Sequence, residues 1–512
     1  MAASGRPTEI ELKLLLPGHA RAVLERHPAL QAPRATAPEV REEHTTYFDT
    51  PGLSLAREGL SLRVRRRGDH RIQTLKTARN GSGVAASRGE WEWSTGQDAP
   101  DLSRVAETPF GAKISAAAAA GLQPVFETDV RRIVRDLRLD GETLAEAAID
   151  EGRVAAGEAA EEISELELEL KRGAPGPLYR LALELHATIP FTIGAESKAR
   201  RGLRLRTGEA PESLESELPT LDGDAPAAEA VRRIVGAELG HFVANQPAAA
   251  TGKAEGVHQM RIGIRRLRTA LALFGKHLEP HAARRFEAEL KRLGQVFGAA
   301  RDWDVFCTQV LPDAEADERA RGWAELLREP AEAERRAAHR GVEEELGRPA
   351  LTALMLGMAA WVEPDETGAK ALGGGKLDRP FHKLAPVLLD RMARRVAGRG
   401  GHTRRRSAEE LHGLRKALKK LRYSADYAAA LYPPKPVDRY QKAAKRLLKL
   451  LGAANDAAVA TALADRLCAG ERSELAPATG ALARWSEERR AGALRKLPKA
   501  WATFDAAAPF WR

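Results

Sequence analysis

Glu9, Glu11 and Lys13 alternate with Ile10 and Leu12, so an extended chain presents the three charged side chains on one face. Glu165, Glu167, Glu169 and Lys171 repeat the design against Leu166, Leu168 and Leu170. Arg63 and Arg65 repeat it against Leu62 and Val64, and Glu90 and Glu92 against Trp91 and Trp93. One such strand is an ordinary solvent-facing strand. Several together need their apolar faces covered, which leaves rows of carboxylates and arginines to be accounted for. Alternate carboxylates on two strands offer hard oxygen ligands to Mg²⁺ or Mn²⁺, and Arg and Lys rows offer donors to phosphate oxygens. The substrate implied is a linear phosphate chain, with metal and phosphate neutralising rows that would otherwise be costly to bury.

These rows require a sheet that closes on itself. Period-two runs punctuated by Gly, Pro and Asp occupy the first half: EIELKLLL, TYFDT, LSLRVRR, RIQTLK, GEWEW, AIDEG and ELELELK. They predict a mostly antiparallel barrel of about eight strands with the charged rows inside. Two helices interrupt it, near His19–Arg26 and Leu178–Leu185. Tyr47 and Phe48 read as core. The stretch TGEAPESLESELPTLDGDAP, from Thr207 to Pro226, loses periodicity and reads as a linker. Beyond it Ala, Leu, Arg and Glu recur at three- and four-residue spacings, so the second half is all helix.

That second half is duplicated. HQMRIGIRRLR from His258 and HGLRKALKKLR from His412 superpose at an offset of 154 residues, and the match continues from Lys291 and Asp302 onto Lys445 and Asp456. Each repeat is expected to be a bundle of about four helices, the two related by a pseudo-twofold axis. Within each, the histidine and the cations three, seven and ten residues later form one polar stripe beside an apolar one. Metal binding by these histidines lacks a second ligand at helical spacing, so anion binding is the simpler chemistry.

Charge follows the same division. Residues 1–220 hold 30 Lys and Arg against 34 Asp and Glu, a net of −4; residues 221–512 hold 51 against 37, a net of +14. The second half is suited to a polyanion. Two cysteines form no disulfide framework, and the longest apolar run, Ala350–Val362, is shorter than the ~20 residues of a membrane span. The chain therefore reads as cytoplasmic, with no membrane partner and no signal of oligomeric state.

The ordered set EIELK, YFDTPGLSL, LRVRR, TLK, RGEWEW, TDVRR, AIDEG, ELELELKRG and ESKARRG, across residues 7–206, resembles the CYTH or triphosphate tunnel metalloenzyme family. The resemblance implies metal-dependent hydrolysis of inorganic tripolyphosphate or a related triphosphate inside a β-tunnel. Carried over, Glu9 and Glu11 match the first metal-binding pair, and Asp150 with two of Glu165, Glu167 and Glu169 the second acidic group. Arg63, Arg65, Lys76, Arg132, Lys198 and Arg201 match the phosphate-holding cations. Glu9, Glu11, Lys13 and Lys76 fall at the reacting centre.

HxxR followed by RRLR or KKLR, then RDWDV or NDAAV, resembles the CHAD domain, over residues 222–512 with repeats at about 222–370 and 371–512. This second resemblance implies binding of long-chain polyphosphate, association with polyphosphate granules, and an anion site at His258, Arg261, Arg265, Arg268, His412, Arg415, Lys416, Lys419 and Arg422. Nucleic acid is the rival polyanion, but beside these stripes only Tyr423 offers a ring on which a base could stack. The remaining alternatives are an idle tunnel in a polyphosphate-binding granule protein, hydrolysis of nucleoside or thiamine triphosphate, and cyclisation of ATP.

Overall fold

The computed structural model describes residues 8–78, 83–364, 372–401, 407–468 and 473–512. Its strands are β1 (Thr8–Leu15), β2 (Glu39–Asp49), β3 (Leu60–Arg67), β4 (His70–Thr77), β5 (Ala86–Thr95), β6 (Gln123–Arg138), β7 (Leu144–Ala156), β8 (Ala159–Arg172) and β9 (Thr192–Ile193). They hydrogen-bond in the order β5-β4-β3-β2-β6-β7-β8-β1, and β1 pairs back onto β5 with Glu11 opposite Ala86. The result is a closed, antiparallel, eight-stranded barrel, with the short β9 pairing the far end of β1. Closure removes both sheet edges and divides every strand's side chains into an inner and an outer set.

The outer set is apolar because helices cover it. Leu60, Leu62 and Leu75 pack with Val105, Ile114 and Ala117 from the helices Leu102–Ala106 and Gly111–Ala119, joined by Trp91 and Trp93. With Trp91 and Trp93 outside, Glu90 and Glu92 are inside. Periodicity predicted only two helices in this half, and both are present, as Ala20–Arg26 and Gly176–His186. It missed Leu102–Ala106, Gly111–Ala119 and Lys198–Thr207. The first two are too short or too rich in alanine to show a period of 3.6, and the third is dominated by its arginines.

The Lys198–Thr207 helix matters most. Continuing along the inner positions of β6, β7 and β8, charge gives way to Phe126, Val130, Val154, Ala156 and Ile163, and Ala199, Leu203 and Leu205 of this helix pack against them. One end of the barrel is thus filled. Gly202 permits the approach, since a Cβ there would lie 2.1 Å from the Phe126 ring. Ser197 caps the helix through the Arg200 amide, which fixes Lys198 at its first turn.

The helical half carries its duplication through four helices in each repeat. Ala227–Ala244, Ala254–Phe274, Pro280–Val305 and Arg321–Leu346 correspond at the 154-residue offset to Phe381–Gly400, Ala408–Ala428, Pro434–Leu467 and Ala476–Asp505. Ala254–Phe274 and Ala408–Ala428 match to the residue. The expected boundary between repeats, at 370–371, lies outside the described residues. Pro434–Leu467 is long and apolar enough to cross a membrane by composition, with an 18-residue window of mean hydropathy 1.3. It holds no unbroken apolar run, because Asn455, Asp456 and Asp465 interrupt it. Its Leu463, Ala464 and Leu467 are buried in a core with Trp303, Phe306 and Leu482.

The chain forms two compact units, and these do not simply follow chain order. The first comprises residues 1–214, 239–251 and 347–371; the second comprises 215–238, 252–346 and 372–512. Within the first, the helix Pro349–Val362 packs on Gly176–His186, and His186 Nε2 lies 2.9 Å from the Pro349 carbonyl oxygen. The stretch from Gly208 has no helix or strand until Ala227, yet parts of it are anchored. In the first unit the Leu214 amide donates to Asn245 Oδ1 at 2.9 Å, and in the second Arg233 donates to the Thr220 carbonyl at 3.2 Å.

Sequence composition alone marks 222–512 as a fragment able to fold by itself. The packing of Pro349–Val362 gives a different expectation, because Leu351, Met355 and Met358 are buried. A fragment starting at residue 222 is expected to self-associate, and co-expression with residues 1–214 to restore a monodisperse species on size-exclusion chromatography. A monodisperse 222–512 fragment would show that this helix needs no cover from the first unit.

Candidate active site in the barrel and anion site in the helices

Inside the barrel nearly every charge is paired. Glu9 receives Lys76 Nζ at 3.0 Å and Arg88 Nε at 2.7 Å, and Glu11 receives Arg88 Nη2 at 2.8 Å. Asp150 takes a bidentate fork from Arg132, at 2.7 and 2.6 Å, and Lys198 at 2.6 Å. Glu165 and Glu167 both receive Lys13 and Lys198, and Glu167 also receives Arg132 at 2.6 Å. Lys13 stands 3.4 Å from Glu11 and joins the two carboxylate groups. The register explains this convergence: Asp150 is opposite Glu165 and Arg132 across β7, and Lys13 is opposite Glu167 across β1 and β8.

Protonation follows from the pairing. Burial alone would raise the Glu167 carboxyl, but Lys13, Lys198 and Arg132 hold it well below the usual range. Glu9 is lowered in the same way, against burial, by Lys76 and Arg88. Burial opposes charge on Lys198 too, yet Asp150, Glu165 and Glu167 keep it firmly an ammonium. Lys76 goes the other way, because burial comes first and Arg88 and Arg63 add repulsion.

Two features mark the interior as more than a set of closed ion pairs. Asp150, Glu165 and Glu167 each aim an oxygen into a space where all three lie within 4.8 Å of one another, and Glu165 Oε2 is buried without a hydrogen-bond partner. Three hard oxygens this close together, gathered around the Lys198 ammonium, are of the kind that hold a divalent cation. Further along, the buried Nε atoms of Arg63 and Arg65 have no hydrogen-bond partner, an arrangement that suits an incoming anion.

Of Glu165, Glu167 and Glu169 on β8, the structure groups the first two with Asp150. It sets Glu169 apart, paired to Lys171 at 2.7 Å with its carboxyl raised chiefly by burial. Arg201 turns to Glu161 at 2.8 Å and reaches Glu165 only at 3.7 Å. Sequence reasoning missed Arg88, although the RGEWEW motif contains it, because it precedes the alternating acids. It also missed Glu43, which Arg65, Arg67 and Arg132 surround and, against burial, bring down to about 2. Tyr47 is a correction of another kind. Its ring does pack, stacked on Phe126 at 4.3 Å, but its hydroxyl accepts from Arg63 at 3.4 Å inside the barrel. Burial would raise that hydroxyl; Arg63, Lys198 and Arg65 lower it instead.

In the helical unit the two repeats meet along their basic stripes. Arg261 lies 3.6 Å from Asp302, and its repeat mate Arg415 lies 3.8 Å from Asp456. Burial, and then Asp456 across the repeat, push Asp302 up against the pull of Arg261, so the two acids are neighbours. Lys419 is pushed down to about 6, first by burial and then by Arg265, Arg415 and Arg261, with Asp456 opposing. Four cations from both repeats therefore crowd around two acids, and the Nε atoms of Arg265 and Arg415 are buried without hydrogen-bond partners.

Of the other candidates one belongs to this centre and the rest lie off it. His258 joins it, brought down to about 4 by burial and by Arg301. His412 instead meets Asn455 at 2.7 Å, since Asn455 replaces Arg301 at the offset. Arg268 is held by Glu287 at 2.9 Å, and the exposed Lys416 stands on the same side, beside Lys420. Arg422 pairs with Asp426 at 3.7 Å. Tyr423 is no base platform: it is buried, and Arg265, Arg266 and Arg422 lie over its ring at 5.0, 5.5 and 5.0 Å.

Residues 7–203 match the model of the CYTH domain, and residues 233–465 that of the CHAD domain. An inorganic triphosphatase of Haemophilus influenzae is 32% identical over 170 residues, covering 31% of this chain and 45% of that protein; the match thus spans less than half of the relative's length. Among solved structures, the CHAD domain from the plant Ricinus communis is similar at 27% identity with a TM-score of 0.48, covering 58% of this chain and 98% of that one. The putative adenylyl cyclase HpAC1 from Hippeastrum, described as having a dominant triphosphatase activity, is similar at 19% identity with a TM-score of 0.29, covering 39% and 96%.

Lys198 offers a direct test of the charge balance at the acidic trio. Removing one partner from a buried ionic cluster costs about 3–5 kcal/mol, so Lys198→Ala is expected to lower the melting temperature by several degrees. Mg²⁺ or Mn²⁺ is expected to recover part of that loss by supplying the missing positive charge. A variant whose melting ignored both ions would show that the trio holds ammonium groups only.

Proposed function

We propose, for a chain that carries a CYTH domain followed by a CHAD domain, that the barrel hydrolyses inorganic tripolyphosphate or a related triphosphate with Mg²⁺ or Mn²⁺, and that the helical domain binds polyphosphate. The observation that carries the first part is one enclosed space lined on one side by Arg63 and Arg65, whose buried Nε atoms have no hydrogen-bond partner, and on the other by the converging carboxylates of Asp150, Glu165 and Glu167. A bound divalent cation would be held by Asp150, Glu165 and Glu167, with Glu9 and Glu11 on the adjoining strand, and would supply charge neutralisation at phosphate oxygens.

The protein's own residues do the rest. Arg63, Arg65 and Arg132 clamp phosphate oxygens, and Lys13 and Lys198, released from the acids as cation and substrate enter, turn to the phosphate chain. A carboxylate of this set held ionised, such as Glu167, accepts a hydrogen bond from the attacking water and orients it. The apolar filling behind Tyr47 stops water from crossing the barrel from that end. In the helical unit, the convergence of Arg261, Arg265, Arg415 and Lys419 supports one polyanion site shared by both repeats.

Two outcomes are expected. Glu11→Gln removes a carboxylate that Arg88 already holds in place, and should reduce metal-dependent phosphate release from tripolyphosphate at least a hundredfold while the far-ultraviolet circular dichroism stays unchanged. Turnover within a few-fold of the parent would contradict the assignment.

The second concerns pH. With its amine brought down to about 6, Lys419 is neutral at pH 8 in the free protein and must take up a proton to meet an anion. Polyphosphate affinity should therefore fall as pH rises from 6 to 9, by up to about tenfold per unit for one linked proton. Lys419→Arg should flatten that dependence. Calorimetry in two buffers of different ionisation heat reads the proton directly, and no net uptake at pH 8 would refute the linkage.

A further inference from the structure

Sequence duplication leaves one unexplained difference between the repeats. On the helix Pro434–Leu467, Lys449, Lys445 and Lys442 precede Asp456 by seven, eleven and fourteen residues, which puts all three within about 40° of Asp456 around the helix axis. All three are exposed, and among the described residues only Lys442 has an ion pair, with Asp438 at 3.7 Å beyond the far end of the row. The equivalent positions of the first repeat hold Gln295, Lys291 and Ala288. The neighbouring cation differs as well. Arg292 is locked by Glu345 at 2.8 and 2.7 Å, whereas its mate Arg446 is exposed and has no ion pair among the described residues.

The adjacent helix fixes where this row leads. His412 meets Asn455 at 2.7 Å and Asp426 meets Gln441 at 2.9 Å, so Ala408–Ala428 runs antiparallel to Pro434–Leu467 in a single register. That register sets Arg422 level with Lys445, and Lys419 about level with Lys449. The Arg415–Asp456 contact shows which flank of the helix pair the cations share. By helical turn Arg422 lies on that flank of its helix, and Lys449, Lys445 and Lys442 on that flank of theirs. The row thus begins level with Lys419 of the convergent centre and extends for about 10 Å from Lys449 to Lys442, ending about 21 Å from Asp456 at 1.5 Å per residue.

We propose that Lys449, Lys445 and Lys442 form an extension of the anion site that carries a linear polyphosphate outward from the convergent centre along the second repeat only. This rests on the reading of that centre as a polyphosphate site. The centre meets the chain with half-buried arginines; the row meets the following phosphates with exposed lysines, point charges that follow a flexible chain without fixing its geometry. Binding is therefore pseudo-symmetric at the centre and one-sided beyond it, and longer chains gain affinity by multivalency.

The test uses the full chain and size-fractionated polyphosphate at physiological salt. Four proteins are compared: the parent, Lys445→Glu with Lys449→Glu, a charge-matched control with Arg336→Glu and Arg340→Glu at exposed positions of the helix Arg321–Leu346, and Arg265→Glu. Any binding in the barrel is common to all four. For the parent, affinity should climb with chain length. For the row variant it should level off at shorter chains and fall at least tenfold for chains of about 100 phosphates, with the slope of log affinity against log salt reduced by about 2. The control should stay within threefold of the parent. Equal losses in the row variant and the control would overturn the proposal, as would a single-stranded oligonucleotide that matched polyphosphate in affinity and in sensitivity to the row. If long chains bound but Arg265→Glu had no effect, the reading of the centre would fail, while the comparison of row variant with control would still judge the row.

Discussion

A charge taken out of water must find its opposite, and the barrel is built around that requirement. Its strands close with their carboxylate and cation rows facing inward, so each ionic side chain is brought against others it cannot avoid. Lys13 and Lys198 sit among Asp150, Glu165 and Glu167, and Lys76 and Arg88 sit on Glu9 and Glu11. Such pairing gains little over a hydrophobic interior of the same volume. What it retains is acids and cations kept ionised and in contact with one another in one enclosed space.

The helical unit solves the opposite problem. Around Arg261, Arg265, Arg415 and Lys419 there are too few acids, and the cost shows as a lysine brought down to about 6 and guanidinium nitrogens without partners. Unlike the barrel, which compensates its charges internally, this centre keeps an excess of positive charge among its own side chains. Tyr423 makes the crowding tolerable, since three guanidinium groups share the face and edges of its ring. The same residue that offered the only case for base stacking is buried by the cations it serves.

Particular residues show where one-dimensional reading stops. The alternation of Glu9, Glu11 and Lys13 told which side chains share a face, because the period of a strand is local. It could not tell Glu169 from Glu165 and Glu167, because only the cross-strand register, with Asp150 opposite Glu165, separates them. Arg88 stood in a recognised motif but acquired its role from the pairing of β5 with β1, the contact that closes the barrel. Tyr47 read as core and is core at its ring; its hydroxyl faces Arg63 because β3 lies beside β2.

By itself the sequence determined the kind of chemistry, the division into a β half and a helical half, and the duplication at 154 residues. Each is written in residue type and spacing, which do not depend on what the chain folds against. Tertiary structure alone decided which carboxylates converge, that the Lys198–Thr207 helix fills one end of the barrel, and that Pro349–Val362 belongs to the first unit despite lying in the second half of the chain. It also decided that the two basic stripes face each other with Lys419 between three arginines. These are distances between residues far apart in the chain, set by strand register and helix packing, and no local period encodes them.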